Sequence, residues 1–241
     1  ADLLVGAVSA NASRGMAYLF NGSATGIAET SSTEAPVKFD GEAASGQFSS
    51  SIVVGDFDNN GFSDVAIGAP AVSTNSGRAY LFYSNAGGFA PGTYTATFPG
   101  NTITSGTTNT FMGGSMAAGD INGDGATDLV MGGYGGAASS STMRLFYGEN
   151  GSRPLKNNTA PIATTITESA SGVYFTTAIA INDINADGFD DIIVGAHGGT
   201  VNEGYAAVFF GQAPAITATL PSAAGYMRTG LTNIGEQFAR G

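Results

Sequence analysis

Asp56-Phe57-Asp58-Asn59-Asn60-Gly61-Phe62-Ser63-Asp64 returns 64 residues later as Asp120-Ile121-Asn122-Gly123-Asp124-Gly125-Ala126-Thr127-Asp128. After a further 63 residues it returns as Asp183-Ile184-Asn185-Ala186-Asp187-Gly188-Phe189-Asp190-Asp191. Of the 12 aspartates in the chain, 10 lie in these three windows, so the acidic charge is concentrated. An eleventh, Asp2, opens Asp2-Leu3-Leu4-Val5-Gly6-Ala7, which matches Asp64-Val65-Ala66-Ile67-Gly68-Ala69 and Asp191-Ile192-Ile193-Val194-Gly195-Ala196. Asp2 therefore stands at the last position of a partial fourth window. The chain is organised by a repeat of about 63 residues.

The flanks of each window repeat as well. An apolar stretch precedes it: Ile52-Val53-Val54, Met116-Ala117-Ala118 and Ala178 to Ile181. Eight or nine residues before the first aspartate sits an aromatic, Phe48, Phe111 or Phe175. A short apolar run follows, as Val65 to Ala69, Leu129 to Gly133 and Ile192 to Ala196. Then come the aromatic runs Ala17 to Phe20, Ala79 to Tyr83, Arg144 to Tyr147 and Ala207 to Phe210. A Thr-rich run closes each unit: Val37 to Phe39, Tyr94 to Phe98, Ile162 to Ile166 and Ile216 to Leu220. Short β-branched and aromatic runs separated by Gly, Asn, Ser and Pro predict strands, and no segment holds a helical period. Four-stranded units in tandem predict an all-β fold of the β-propeller type, with units over residues 1–47, 48–110, 111–174 and 175–237. The first unit lacks its N-terminal strand, and Glu236-Gln237-Phe238 matches Gly46-Gln47-Phe48. A closed ring of four units and a part of a larger propeller both fit, and the separation of Ala1 from Gly241 would distinguish them. Because the chain begins within a repeat, no leader is expected in it.

Composition removes most alternatives. Cys is absent, which excludes disulfides, thiolate metal sites and thiol catalysis. A single His, His197, excludes any site that needs two. With 8 Lys+Arg against 19 Asp+Glu the net charge is −11, the wrong sign for a nucleic-acid binder. No apolar run approaches the ~18 residues of a membrane-spanning helix.

Within each window, positions 1, 3 and 5 are Asp or Asn, position 6 is Gly and position 9 is Asp. Ca²⁺ takes about 6–8 oxygens, which alternating side chains of a tight loop can bring to one point. Gly at position 6 permits the turn, and the carbonyl at position 7 (Phe62, Ala126, Phe189) can add an oxygen. The expected ligands are therefore Asp56, Asp58, Asn60, Phe62 and Asp64; Asp120, Asn122, Asp124, Ala126 and Asp128; and Asp183, Asn185, Asp187, Phe189 and Asp191. About three Ca²⁺ ions follow, one per complete loop. A helix–loop–helix calcium hand would need Glu at position 12, where Ile67, Met131 and Val194 stand. Simple hairpin turns would need only Asn60-Gly61, Asp124-Gly125 and Asp187-Gly188. Holding three carboxylates ~4 Å apart without a cation costs a few kcal/mol per pair, so metal is the better account.

The aromatic–apolar–Gly-Asp approach, the Asp-rich loop, Gly68-Ala69-Pro70 and Gly77-Arg78-Ala79-Tyr80 resemble the FG-GAP repeat of integrin α-subunit β-propellers. The resemblance covers nearly the whole chain, in three complete loops and one partial. It implies that the calcium loop joins the first and second strands of a blade on one face of the disc. It also implies that ligands meet the opposite face or the rim. Departures are Asn182 in place of the Gly before the loop, and Gly133-Tyr134 and Ala196-His197 in place of Ala-Pro.

Other candidates are minor. His197 falls in the turn after a second strand and is expected to be exposed. Arg14, Arg78 and Arg144 recur near the third strand and are expected to be solvated or paired with loop carboxylates. The long connections Pro99 to Phe111 and Pro221 to Phe238 carry Tyr226, Met227 and Arg228. The function expected is a non-catalytic, calcium-stabilised extracellular module that binds a protein or glycan. The alternatives are a structural subunit or spacer that self-assembles through blade edges or rim, and a non-catalytic domain of a secreted enzyme.

Overall fold

A computed structural model describes residues 1–96, 102–104, 108–135, 141–148, 155, 162–168, 173–198, 204–217 and 226–229. Their strands form four four-stranded sheets. Sheet one holds β1 (Leu3–Ala7), β2 (Met16–Phe20), β3 (Val37–Asp40) and β7 (Gly92–Thr95). Sheet two holds β4 (Ile52–Gly55), β5 (Asp64–Ala69), β6 (Arg78–Phe82) and β8 (Thr102–Thr104). Sheet three holds β9 (Ser115–Gly119), β10 (Asp128–Gly133), β11 (Ser141–Phe146) and β12 (Ile162–Glu168). Sheet four holds β13 (Val173–Asn182), β14 (Asp191–Gly198), β15 (Tyr205–Phe209) and β16 (Tyr226–Thr229). The fold is the all-β, four-stranded-blade architecture expected of a β-propeller. No helix among the described residues is long and apolar enough to cross a membrane.

The register is the same in every unit. Leu3 pairs with Phe20 as Val65 pairs with Phe82, Leu129 with Phe146 and Ile192 with Phe209. The strands β5 and β10 are buried along their whole length. Sheets covered on both faces need apolar side chains at every position, which is why these runs read as continuous rather than alternating. The core lies between sheets. Val65, Ile67, Tyr80 and Phe82 of sheet two pack with Val37 and Phe39 of sheet one. On its other face, Ala66, Ala79 and Leu81 meet Leu129, Met131 and Phe146 of sheet three. Val130, Met143 and Leu145 then meet Ile192, Val194 and Phe209 of sheet four.

Four expectations need correction. Of the run Tyr94 to Phe98, the described part does not close the second unit: β7 joins sheet one in parallel beside β3, and β8 closes sheet two, while residues 97–98 lie outside the described residues. Aromatic packing accounts for this, since the Tyr94 ring lies 5.6 Å from Phe39 and 5.5 Å from Phe89, while Ile103 of β8 is buried towards sheet three. Nor does Ile216 begin a closing strand. It is a buried plug between sheets three and four, its N–H donating to Tyr147 Oη at 2.8 Å. The strand that closes sheet four is β16, within the stretch expected to be a connection; residues 218–220 lie outside the described residues. The third correction concerns Phe111. Met112, not Phe111, is the buried counterpart of Phe48 and Phe175, and the Phe111 ring stacks instead on Tyr134 at 5.6 Å. Fourth, β13 is 10 residues long, with a bulge between Phe175 and Ala178, rather than a short strand from Ala178.

The minor candidates also move. His197 sits half-buried in β14, stacked on Tyr174 at 4.9 Å, not exposed in a turn. Arg78 pairs with Glu42 at 2.5 Å, outside the loops. Burial holds the Arg144 guanidinium below its usual pKa. Among the described residues nothing covers the leading face of sheet one, where Leu3 is 47% exposed. Residues 230–241, and with them the separation of Ala1 from Gly241, lie outside the described residues.

Candidate metal centre

Each Asp-rich window connects the first two strands of a sheet: β4 to β5, β9 to β10, and β13 to β14. The loop is held by its own side chains in one repeated pattern. The aspartate at position 1 accepts the N–H of position 5 on one oxygen and the glycine N–H of position 6 on the other. These bonds are 2.9 and 2.7 Å at Asp56, 3.1 and 2.9 Å at Asp120, and 3.2 and 3.0 Å at Asp183. The side-chain oxygen at position 5 accepts the N–H of position 7: Phe62 onto Asn60, Ala126 onto Asp124, Phe189 onto Asp187. Short Asx side chains close local turns in this way. Gly61, Gly125 and Gly188 take φ of 88°, 86° and 92°, the left-handed region that glycine enters at least cost. Position 4 is left-handed too, as Asn59, Gly123 and Ala186, a requirement the sequence did not announce.

Position 9 does more than the spacing suggested. Asp64, Asp128 and Asp191 are fully buried at the start of the second strand. One oxygen accepts the N–H of the residue seven earlier: Phe57 at 3.0 Å, Ile121 at 2.9 Å and Ile184 at 3.1 Å. The other accepts the N–H of the residue 20 later: Ser84 at 2.7 Å, Gly148 at 2.8 Å and Gly211 at 2.9 Å. Asp2 repeats the second bond with Gly22 at 2.8 Å, which places it as the ninth residue of the partial window. Each of these carboxylates thus ties the loop to the end of the third strand.

Among the described residues, carboxylates gather most closely in the first loop. Carboxylate oxygens of Asp56, Asp58 and Asp64 lie within 4.8 Å of one another. Asp58 Oδ1 is buried with no hydrogen-bond partner. Burial, reinforced by the charge of Asp56, raises the Asp58 pKa. Burial likewise pushes Asp64 up to about 6 and Asp128 up to about 7, against the backbone N–H bonds that lower them. These acids are short of positive charge. In the second and third loops the position-3 amide turns to the position-5 carboxylate, Asn122 to Asp124 at 3.0 Å and Asn185 to Asp187 at 2.9 Å. Among the described residues, only the first loop brings three carboxylates within that distance.

Neighbouring loops are bonded to one another. The Asp56 N–H donates to Thr127 Oγ1 at 3.2 Å, and the Asp120 N–H donates to Asp190 Oδ2 at 2.9 Å. Position 8, to which the sequence assigned no role, therefore caps the first residue of the preceding loop.

Comparison with known proteins agrees with the repeat. The FG-GAP repeat model matches residues 48–82, 112–143 and 175–209. A phosphatidylinositol-glycan-specific phospholipase D of Bos taurus is 31% identical over 143 residues, 55% of this chain and 16% of that protein. Integrin alpha-IIb of Mus musculus is 29% identical over 170 residues, 66% of this chain and 16% of that protein. The Homo sapiens integrin alpha-IIb matches at 29% over the same length, 15% of that protein. The chain thus spans about a sixth of the length of these relatives.

Proposed function

We propose that this chain of FG-GAP repeats is a calcium-stabilised, non-catalytic extracellular propeller module that binds a protein or glycan. The observation that carries the calcium part is the cluster of Asp56, Asp58 and Asp64 around a buried, unpartnered carboxylate oxygen. Buried carboxylates brought together need a compensating charge, and hard oxygen donors suit Ca²⁺. Mg²⁺ demands a stricter octahedron and fits a flexible oxygen set less well.

Positions 1, 3 and 5 of each loop would hold the ion, with position 9 beneath it and the position-7 carbonyl (Phe62, Ala126, Phe189) beside it. Bound Ca²⁺ supplies the positive charge that the loop lacks. The chain's residues do the rest: position 1 orders the turn, and position 9 carries the order into the sheet. About three ions are proposed, one for each complete loop. The extracellular assignment has two supports: weak calcium sites fill outside resting cytosol, and the relatives are an integrin and a phospholipase D. Because one set of relatives is named as a phospholipase D, the same module as a non-catalytic domain of a larger enzyme is the second reading.

Thermal unfolding in excess chelator, then with Ca²⁺ or Mg²⁺ restored, tests the proposal. An ion bound only by the native state adds about 2.7 kcal/mol at a hundredfold excess over Kd. Calcium should raise Tm well above the chelated value and above the magnesium value. Calorimetric titration should count about three ions, and Asp58→Ala should remove one. Identical melts under all three conditions would sink the calcium reading.

A further inference from the structure

The first and second Asp-rich loops carry the same charge until their neighbours are counted. Loop one offers Asp56, Asp58 and Asp64 with the amide Asn60. Loop two offers Asp120, Asp124 and Asp128 with the amide Asn122. Each therefore brings three carboxylates and one amide to positions 1, 3, 5 and 9.

The residue reaching across from the following loop breaks this equality. Position 8 lies against the first residue of the preceding loop in both pairs: Thr127 on Asp56, and Asp190 on Asp120. Glycine precedes that first residue in each case, and the contact is tight. A Cβ added at Gly55 would lie 2.5 Å from Thr127 Cγ2, and one added at Gly119 would lie 2.5 Å from Asp190 Oδ2. Asp190 holds the Asp120 main chain at two points. Its N–H donates to the Asp120 carbonyl at 3.0 Å, and its Oδ2 accepts the Asp120 N–H at 2.9 Å. Among the described residues the one ion pair joins Arg78 to Glu42, so no cation sits on the half-buried Asp190. Loop one has a neutral hydroxyl beside its position-1 aspartate; loop two has a carboxylate.

We propose that Asp190 completes the second calcium site from the third loop, acting through its charge, and that loop two consequently fills before loop one. Oδ2 is committed to the Asp120 N–H, so Asp190 is a positioning and charge-supplying residue rather than a direct ligand. In the empty loop it repels the carboxylates of loop two; with a divalent cation bound it attracts. A unit charge about 7 Å from a divalent ion is worth roughly five- to tenfold in affinity even at the dielectric of water. Thr127 gives loop one the same backbone cap without that gain. The inference rests on the calcium reading and adds a filling order and its cause.

Titration with calcium at buffered free concentrations, followed through the backbone amide resonances of Gly61 and Gly125, reads the two loops separately. Each of these N–H groups is bonded to the position-1 carboxylate of its own loop. Gly125 should reach its midpoint at lower calcium than Gly61. Asp190→Asn keeps an acceptor for the Asp120 N–H but removes the charge, so it should raise the Gly125 midpoint roughly five- to tenfold and leave Gly61 in place. Thr127→Asp, the reciprocal change, should lower the Gly61 midpoint by a similar factor and carries the test by itself if the first variant fails to fold. Salt separates charge from a merely structural cap. Between about 20 mM and 1 M salt the effect of Asp190→Asn should shrink severalfold, whereas the loss of a cap would persist. A Gly61 midpoint at or below that of Gly125, no reciprocal shift, or a salt-independent effect would overturn the inference and leave the calcium reading standing. Amides that ignore calcium altogether would overturn both.

Discussion

With divalent cations removed, lowering the pH should stabilise this protein, the opposite of ordinary acid denaturation. Asp64 and Asp128 are fully buried, and burial raises them from the usual 3.8 to about 6 and about 7. An acid whose folded pKa lies above its unfolded pKa binds its proton more tightly in the native state. Stability therefore rises as pH falls. The gain is absent above the folded values, begins as pH drops through about 7 for Asp128 and about 6 for Asp64, and is complete below 3.8. Each unit of pH across which only the folded state holds the proton is worth ~1.4 kcal/mol. Between about pH 8 and pH 5 the two groups together contribute on the order of 4 kcal/mol, from roughly two units at Asp128 and one at Asp64. Urea unfolding in chelator across that window reads the gain directly as a rising midpoint. With saturating Ca²⁺ the sign should reverse, because protons then compete with the ion for the same oxygens. Asp128→Asn should delete the part of the metal-free profile centred near 7. A metal-free midpoint that is flat, or that falls as the pH is lowered, would refute the reasoning.

Two backbone and core variants test the scaffold. Gly125→Ala meets nothing within 4 Å and has φ 86°, so it should cost only backbone strain, about 1–2 kcal/mol in urea unfolding. Gly77→Ala, at φ 77° with the Met112 carbonyl oxygen 2.0 Å from the added Cβ, should cost clearly more. Equal losses would remove close packing as the reason for Gly77. Phe39→Ala empties the aromatic cluster between sheets one and two and should cost about 3–5 kcal/mol, with a loss under ~1 kcal/mol contradicting its place in the core.

The loops and second strands were legible because local chemistry demands them. Only glycine relieves φ near 90° at position 6, and only continuous apolar runs suit strands such as β5 and β10, buried on both faces. Outer strands were less legible. Gly92–Thr95 and Thr102–Thr104 are both Thr-rich, and their sorting between sheets depends on which side chain reaches Phe39 or the face of sheet three. No single-sequence pattern carries that choice. The replacements for Ala-Pro also hid a compensation. Tyr134 and His197 stand where Pro70 stands, and each stacks on an aromatic 23 residues earlier, Phe111 and Tyr174. A proline cannot stack in that way, and Gln47 stands at the matching position of the first repeat. The pair is visible only once both ends of the ladder are placed together.

Position 9 explains how an ion bound at a surface loop could hold a sheet. If the aspartate served only as a ligand, losing the ion would loosen nine residues and leave the strands alone. Instead Asp128 binds the N–H of Ile121 within the loop and of Gly148 beyond the third strand. Ile121 is itself buried in the core between sheets three and four. Disordering the loop therefore removes a core side chain and strands two buried donors at once, each costing about 1–3 kcal/mol when unsatisfied. The neighbouring loop is affected as well, because Asp190 caps Asp120 and Thr127 caps Asp56. Melting of one loop should then propagate to its neighbours rather than stay local. Chelation followed by hydrogen exchange should expose Gly148 together with Ile121, and exchange confined to residues 122–126 would show the loop to be an independent ornament.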